Sequence, residues 1–110
     1  NPQGFEWIDI HDIDASVISF LRRAKNGEML VFVCNFTPAV RQPYNVGMPA
    51  SGPWHEVLNS DWTEFGGSGV SNPGTVWTIE GNCQGRNQHV TLTLPPLGVC
   101  VFKQGEANRG

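Results

Sequence analysis

The sequence predicts an all-β fold: an antiparallel β-sandwich of about seven to eight short strands with Greek-key connections. Three observations carry that prediction. Helix signals are nearly absent. Runs rich in β-branched and aromatic residues alternate with turn residues at intervals of about 8–12 positions. And Asn26-Gly27, the strongest short hairpin signal, sits between two apolar runs. A chain of 110 residues fits one domain. At that size folding buries roughly 65% of the surface of the unfolded chain, enough for a core without metals or disulfides.

The segment 1–16 reads as a polar lead-in. Asp14–Ala24 has some helical spacing at Val17, Phe20, Leu21 and Ala24. Its β-branched content favours a strand over Val17–Arg23, turning at Lys25-Asn26-Gly27 into a second strand over Glu28–Phe36. The run at Leu30–Phe36 is almost unbroken in its apolarity, as in a strand covered on both faces. Val40–Val46 is a strand that Pro43 confines to an edge or a bulge. Trp54–Leu58 alternates, with Trp54, Glu56 and Leu58 on one face and His55 and Val57 on the other. Asn59–Asp61 is a turn, and Gly66–Gly74 is a flexible loop by composition. Strands over Thr75–Glu80, His89–Leu94 and Gly98–Lys103 complete the sandwich, taken as residues 17–104, with a frayed tail at 105–110.

Composition excludes several functions. Net charge is −3, and the densest basic cluster is Arg22-Arg23-Ala24-Lys25, too little to neutralise a phosphate backbone, so nucleic acid is not an expected partner. No apolar run approaches the ~20 residues that span a bilayer, and no signal peptide is visible. Charged residues make up 15% against about 25% in an ordinary domain. That shortfall, with the apolar run at Leu30–Phe36, predicts an exposed apolar patch that promotes self-association of the isolated domain. The three cysteines, Cys34, Cys83 and Cys100, form neither a disulfide framework nor a zinc pattern. A Cys34–Cys100 bridge would require neighbouring strands, and the thiols are expected to stay reduced in the cytoplasm.

Catalytic chemistry finds little support. Glu6, Asp9, His11, Asp12 and Asp14 form an acidic cluster, but without the glycine and terminal glutamate of a calcium loop. It reads as a turn-rich lead-in. There is no nucleophile elbow and no phosphate loop, and no metal or cofactor is expected. The aromatic residues Trp62, Phe65, Tyr44 and Trp77 are candidates for stacking on sugar rings, against the alternative that most Trp side chains fill the core. Trp62 and Phe65, beside the glycine-rich loop, are the pair expected to be exposed.

Five segments in order, "GFEWIDIHDIDASVISFLRR", "LVFVCNFTPAVRQPYNVGMP", "EVLNSD", "FGGS" and "LTLPPLGVCVF", together resemble the C-terminal β domain of bacterial 1,4-alpha-glucan (glycogen) branching enzymes of the alpha-amylase superfamily. The resemblance covers Gly4–Phe102; Thr75–Gln88 matches less well than its flanks. It implies a parent enzyme that cleaves an α-1,4-glucan and rejoins it through an α-1,6 linkage by a retaining double displacement. The catalytic carboxylates of that family lie on a (β/α)8 barrel, and none of those motifs occurs here. The chain is therefore expected to be a non-catalytic, cytoplasmic accessory domain whose partner is the barrel of the same parent chain, with alpha-glucan as a further ligand. Phe5, Trp7 and Ile8 would dock on the barrel. The alternative is an autonomous alpha-glucan-binding module.

Asn35-Phe36-Thr37 also fits a glycosylation pattern. The next residue, Pro38, the absence of a leader and the resemblance all argue that Asn35 and Thr37 instead satisfy backbone groups where the strand turns.

Overall fold

The computed structural model describes residues 5–9 and 17–105. Among them nine strands form: β1 (Phe5–Asp9), β2 (Val17–Arg23), β3 (Met29–Asn35), β4 (Arg41–Gly47), β5 (Pro53–Asn59), β6 (Thr75–Trp77), β7 (Ile79–Cys83), β8 (Arg86–Leu94) and β9 (Gly98–Gln104). One short 3-10 turn spans Thr63–Phe65. A six-stranded sheet runs β1-β2-β3-β9-β5-β6 and a three-stranded sheet runs β4-β8-β7, antiparallel throughout. The sandwich predicted from the sequence is present. The strands exceed the predicted seven to eight because Phe5–Asp9 pairs with β2 as an edge strand, and because the run after Thr75 is two strands.

The β2–β3 hairpin forms where the Asn-Gly signal places it, with Lys25 and Asn26 at the centre of the turn and Gly27 supplying the positive φ (90°) that follows, not as the two-residue primed turn of that signal. The Gly27 N–H donates to the Ala24 carbonyl at 3.0 Å, and the register then runs without a break from Arg23 opposite Met29 to Val17 opposite Asn35. Along β3, burial alternates between full and partial. The strand is thus not covered on both faces as its apolarity suggested: Met29, Val31, Val33 and Asn35 face inward, and Leu30, Phe32 and Cys34 face out. Its partner β2 repeats the pattern, with Val17, Ser19 and Leu21 inward.

The core lies between the sheets. Trp54, Phe102, Leu21, Val31 and Val33 from the large sheet meet Val46, Val90, Leu92 and Leu94 from the small one. Each fully buried aliphatic or aromatic side chain contributes about 1.5–3 kcal/mol through removal from water. Trp54 is wholly buried, and its Nε1–H donates to the Ala50 carbonyl at 3.2 Å, so the single polar atom of the indole is satisfied.

Two local expectations are corrected, and a third feature was not foreseen. First, β5 does not alternate through its length: the register shifts between Glu56 and Leu58, so Leu58 pairs opposite Val101 and is exposed instead of joining Trp54 inside. A bulge inserts one extra residue and turns the rest of the strand over. Secondly, Thr75–Glu80 is not one strand. At Thr78 the chain leaves the large sheet for the small one, held by Thr78 N–H to the Gly52 carbonyl (3.0 Å) and Gly52 N–H to Thr78 Oγ1 (2.7 Å). Thirdly, β7 and β8 form a tight hairpin whose central residues, Gln84 and Gly85, both have positive φ (54° and 81°). That is the geometry of a primed turn, and Gln-Gly is a weak form of its Asn-Gly signal. The edge position of β4 agrees with Pro43, where its register shifts between Arg41 and Tyr44.

The cysteines are free. Cys34 points outward from β3 and Cys100 lies in the core, so the contemplated bridge would have to pass through the sheet. Burial pushes both thiols up, and the Glu56 carboxylate pushes Cys100 up further. Neither is a reactive thiolate.

Candidate functional site

Two surfaces stand out, and the first arises from strand alternation. The first is the outer face of the large sheet. Strand pairing sets Ile18 opposite Cys34 and Phe20 opposite Phe32, and then Cys34 opposite Val99 and Phe32 opposite Val101. Leu58 on β5 stands opposite Val101. Four adjacent strands therefore present apolar side chains away from the core. Phe20 and Phe32 stack at 4.9 Å between ring centroids and 4° between planes. With Leu30 and the stems of Arg22 and Arg23 they border a groove of about 430 Å³. Phe36 and Leu97, 58% and 70% exposed, extend the apolar surface past the end of β3 and β9. An ordinary sheet would be polar on this side.

Of the expected docking residues, Ile8 is the one whose side chain is described, and it is 8% exposed within this domain's own core. It therefore faces inward. The side chains of Phe5 and Trp7 lie outside the described residues, as do Asp9's side chain and His11, Asp12 and Asp14 of the acidic cluster. Trp7 is at the register position opposite Phe20. Glu6 is ion-paired with Arg86, which ties β1 to the β7–β8 hairpin. Among the described residues no three His, Cys, Asp or Glu side chains gather as metal donors.

The second surface is an aromatic corner at the far end of β5. Trp62 and Phe65 flank the Thr63–Phe65 turn with ring centroids 6.1 Å apart and a 22° tilt. Phe65 is 57% exposed. Trp62, Thr63, Glu64, Gly69 and Ser71 line a shallow depression beside them of about 280 Å³.

This corner is built, contrary to the flexible loop expected at Gly66–Gly74. The Asp61 carboxylate accepts from Ser68 N–H (3.0 Å), Ser68 Oγ–H (2.6 Å) and Val70 N–H (2.8 Å). The Trp62 carbonyl accepts from the Phe65 and Gly67 amides. A Cβ on Gly67 would fall on the Asp61 carbonyl, so this close approach needs glycine. Further on, Asn72 Nδ2 donates to Glu56 Oε2 (2.9 Å) and to the Thr93 carbonyl (3.0 Å), and its Oδ1 accepts from Thr93 N–H (2.8 Å). Composition marked the loop as flexible because its tethers lie outside it, at Asp61, Glu56 and Thr93.

The hydrogen bonds from Ser68, and then from Val70, hold the Asp61 carboxyl below its usual range. A lowered folded-state value means the stabilisation is complete above about pH 4, the unfolded value, and is lost as pH falls through the folded one. Acid is therefore expected to release the loop. Hydrogen exchange at the Ser68 and Val70 amides should accelerate on acidification relative to the β2–β3 amides, and Asp61→Asn should remove that differential.

The remaining aromatic candidates stand elsewhere. Tyr44 is partly buried and packs on the core from β4. Trp77 is 59% exposed on edge strand β6, opposite Pro53 at the other end of β5, about 20 Å of strand from Asn59. Of the four candidates, Trp62 and Phe65 stand together as a stacked pair.

Comparison with known proteins agrees with this outline. The family described as "Alpha amylase, C-terminal all-beta domain" matches residues 7–105. The chain belongs to this family. A 1,4-alpha-glucan branching enzyme GlgB of Rubrobacter xylanophilus is 55% identical over 103 residues, covering 93% of this chain and 14% of that protein. GlgB of Aromatoleum aromaticum is 51% identical over 96 residues, 87% of this chain and 15% of that protein. GlgB of Aquifex aeolicus is 48% identical over 104 residues, 94% and 16% respectively. The chain thus spans about one sixth of the length of these relatives. As an alpha-amylase C-terminal all-beta domain it is a β-sandwich without the family's catalytic domain. No helix among the described residues is long and apolar enough to cross a membrane.

Sequence reasoning did not find the outer face as a surface. The alternation Ile18, Phe20 and Leu30, Phe32, Cys34 was legible, but an outward apolar row reads locally as a second buried one.

Proposed function

We propose that this chain is the non-catalytic accessory domain of a 1,4-alpha-glucan branching enzyme and supports the catalytic barrel of the same parent chain by docking through the outer face of its large sheet. The parent would transfer α-1,4-glucan segments to α-1,6 branch points in the cytoplasm by a retaining double displacement on that barrel, without a cofactor in this domain. The observation that carries the reading is the apolar face across β2, β3, β9 and β5. The half-buried outer row of Ile18, Leu30, Phe32 and Val99 is apolar where the outer face of an ordinary antiparallel sheet is polar. Its occupant is drawn from the lengths: the relatives carry about five sixths of their chain beyond this domain. Phe5 and Trp7, on β1 at the edge of the same sheet, belong to this docking proposal; Ile8 does not.

The test compares two contexts. Phe20→Asp with Phe32→Asp should leave the 110-residue chain folded, because both rings are half-exposed, but should weaken a parent-length enzyme. Its melting temperature should fall by several degrees, with loss of activity on heating. The isolated chain should self-associate at high concentration in sedimentation and the double variant should be monomeric. A parent enzyme indifferent to both aspartates would overturn the docking reading.

The exposed Phe65 ring, stacked on a half-buried Trp62, favours a second role, in which the domain also contacts alpha-glucan.

A further inference from the structure

We infer that Asn26, at the tip of the β2–β3 hairpin, is a site of spontaneous modification: its side-chain amide is lost through attack by the Gly27 nitrogen, leaving aspartyl and isoaspartyl forms of the chain. The turn is exposed in the isolated domain, so the reaction needs no partner and does not depend on the docking face.

Cyclisation needs a backbone nitrogen free of crowding, access for water, and relief for the charge that develops on the side-chain oxygen. Asn26 is the one asparagine of this sequence followed by glycine. The residues from Arg22 to Glu28 are exposed, and nothing stands within 4 Å of the place a Gly27 Cβ would take. The Glu28 N–H donates to Asn26 Oδ1 at 2.9 Å. That donor polarises the amide and faces the oxygen that becomes anionic when Cγ is attacked. Arg23 and Lys25 add positive charge beside the turn, while the Glu28 carboxylate is ion-paired with Lys103 at 2.9 Å. One contact opposes the reaction: the Gly27 N–H donates to the Ala24 carbonyl at 3.0 Å. It lies in an exposed hairpin tip, where local opening costs little. In the step itself, the Gly27 nitrogen gives its proton to solvent and bonds to Asn26 Cγ. The Cγ–Nδ2 bond breaks, and Nδ2 takes a proton from water and leaves as ammonia. Water then opens the cyclic imide. Breaking the new N–Cγ bond gives aspartate; breaking the bond from the Gly27 nitrogen to the Asn26 backbone carbonyl carbon gives isoaspartate. The balance is one water in and one ammonia out, with no oxidant or reductant.

The other described asparagines lack one or more of these conditions. The amide groups of Asn35, Asn59 and Asn72 each donate to two acceptors. Pro73, after Asn72, has no N–H to lose. Asn45, Asn82 and Asn87 are exposed, but they lie in strands and precede residues that carry side chains. The two products act differently on the hairpin. Aspartate keeps an oxygen for the Glu28 N–H and adds a negative charge among Arg22, Arg23 and Lys25. Isoaspartate also adds a methylene to the main chain of a turn closed by Gly27 N–H to the Ala24 carbonyl and Ala24 N–H to the Glu28 carbonyl (2.8 Å), next to the Arg23–Met29 pair. The end it loosens is the one that borders the Phe20–Phe32 groove through Arg22, Arg23, Ala24 and Leu30.

The experiment ages the isotope-labelled 110-residue chain in mildly alkaline buffer and follows it by NMR and by mass spectrometry of its peptides. The side-chain amide signal of Asn26 is expected to disappear at least about tenfold faster than those of Asn45, Asn82 and Asn87. New backbone signals should grow in at Ala24, Gly27, Glu28 and Met29, and both aspartate and isoaspartate should be found at position 26. Asn26→Gln closes its ring far more slowly, so that variant should show none of the new hairpin signals, with the Trp54 indole signal in place as the mark of a folded chain. An Asn26 amide that outlasts or merely matches those of Asn45, Asn82 and Asn87 would overturn the site. Aspartate without isoaspartate would overturn attack by Gly27 in favour of direct hydrolysis.

Discussion

Replacing Trp54 with alanine is expected to cost about 3–5 kcal/mol, the range for removing a fully enclosed aromatic side chain. The indole is 0% exposed in the core cluster, on β5 opposite Val76 of edge strand β6. Total stability of a domain this size is about 5–15 kcal/mol. The variant should therefore melt about 15–30 °C lower, or be partly unfolded at room temperature. Trp77→Ala is the contrast. That residue is 59% exposed, and its removal should change stability by no more than about 0.5 kcal/mol. Thermal circular dichroism of the two variants checks both; equal melting temperatures would mean that the two tryptophans do not differ in burial as described.

The second large effect is expected at Asn35. Its side chain is 1% exposed and uses all of its near-neighbour capacity. Nδ2 donates to the Ala39 and Pro95 carbonyls, both at 2.9 Å. Oδ1 accepts from Thr37 N–H at 3.0 Å and from Thr37 Oγ1–H at 2.8 Å. One amide thus joins the end of β3, the turn after it and the segment after β8. With both protons of Nδ2 engaged inside the fold, Asn35 is not a glycan acceptor in the folded chain. Asn35→Ala strands the buried Pro95 carbonyl, worth about 1–3 kcal/mol without a partner, and the part-buried Thr37 N–H, worth less, for a loss of about 2–4 kcal/mol. Asn35→Asp has a distinct signature. Its carboxylate would face two carbonyl oxygens, so burial and repulsion raise its folded-state pKa above the unfolded value of about 3.9. A raised acid is stabilised below the unfolded value and loses stability as pH rises through the folded one. Asn35→Asp should therefore be least impaired in acid and worst near neutrality, whereas Asn35→Ala shows no such pH dependence. Denaturant melts across about pH 3–8 would read this out; parallel curves for the two variants would contradict the hydrogen bonds assigned to Nδ2.

Much of this was legible from local chemistry. Asn26-Gly27 placed one hairpin, Pro43 placed β4 at an edge, and the period-two pattern of Val90, Leu92 and Leu94 placed β8 on the core. Five family segments in order identified the domain. The glycines beside Trp62 and Phe65 point to an exposed pair; the two rings stack, but Phe65 alone is exposed and Trp62 is half-buried. Other features resisted for specific reasons. The bulge at Val57 inserts one residue, which no alternation count within β5 can reveal until β9 lies beside it. The switch of sheets at Thr78 depends on Gly52, 26 residues away. The order of the Gly66–Gly74 loop depends on acceptors outside it.

The sequence by itself determined that this is an all-β sandwich of the alpha-amylase C-terminal family, because side-chain period, turn residues and family segments are local properties of the chain. Only the tertiary structure decided which apolar residues are core and which are surface. Leu30 and Val31 are equally apolar neighbours, yet Val31 is 0% exposed between the sheets and Leu30 lies in the outer groove. Whether a strand's second face is covered depends on a second layer packing against it. In this domain the small sheet covers one side of the large sheet, and the apolar row on the other side lies outside that layer.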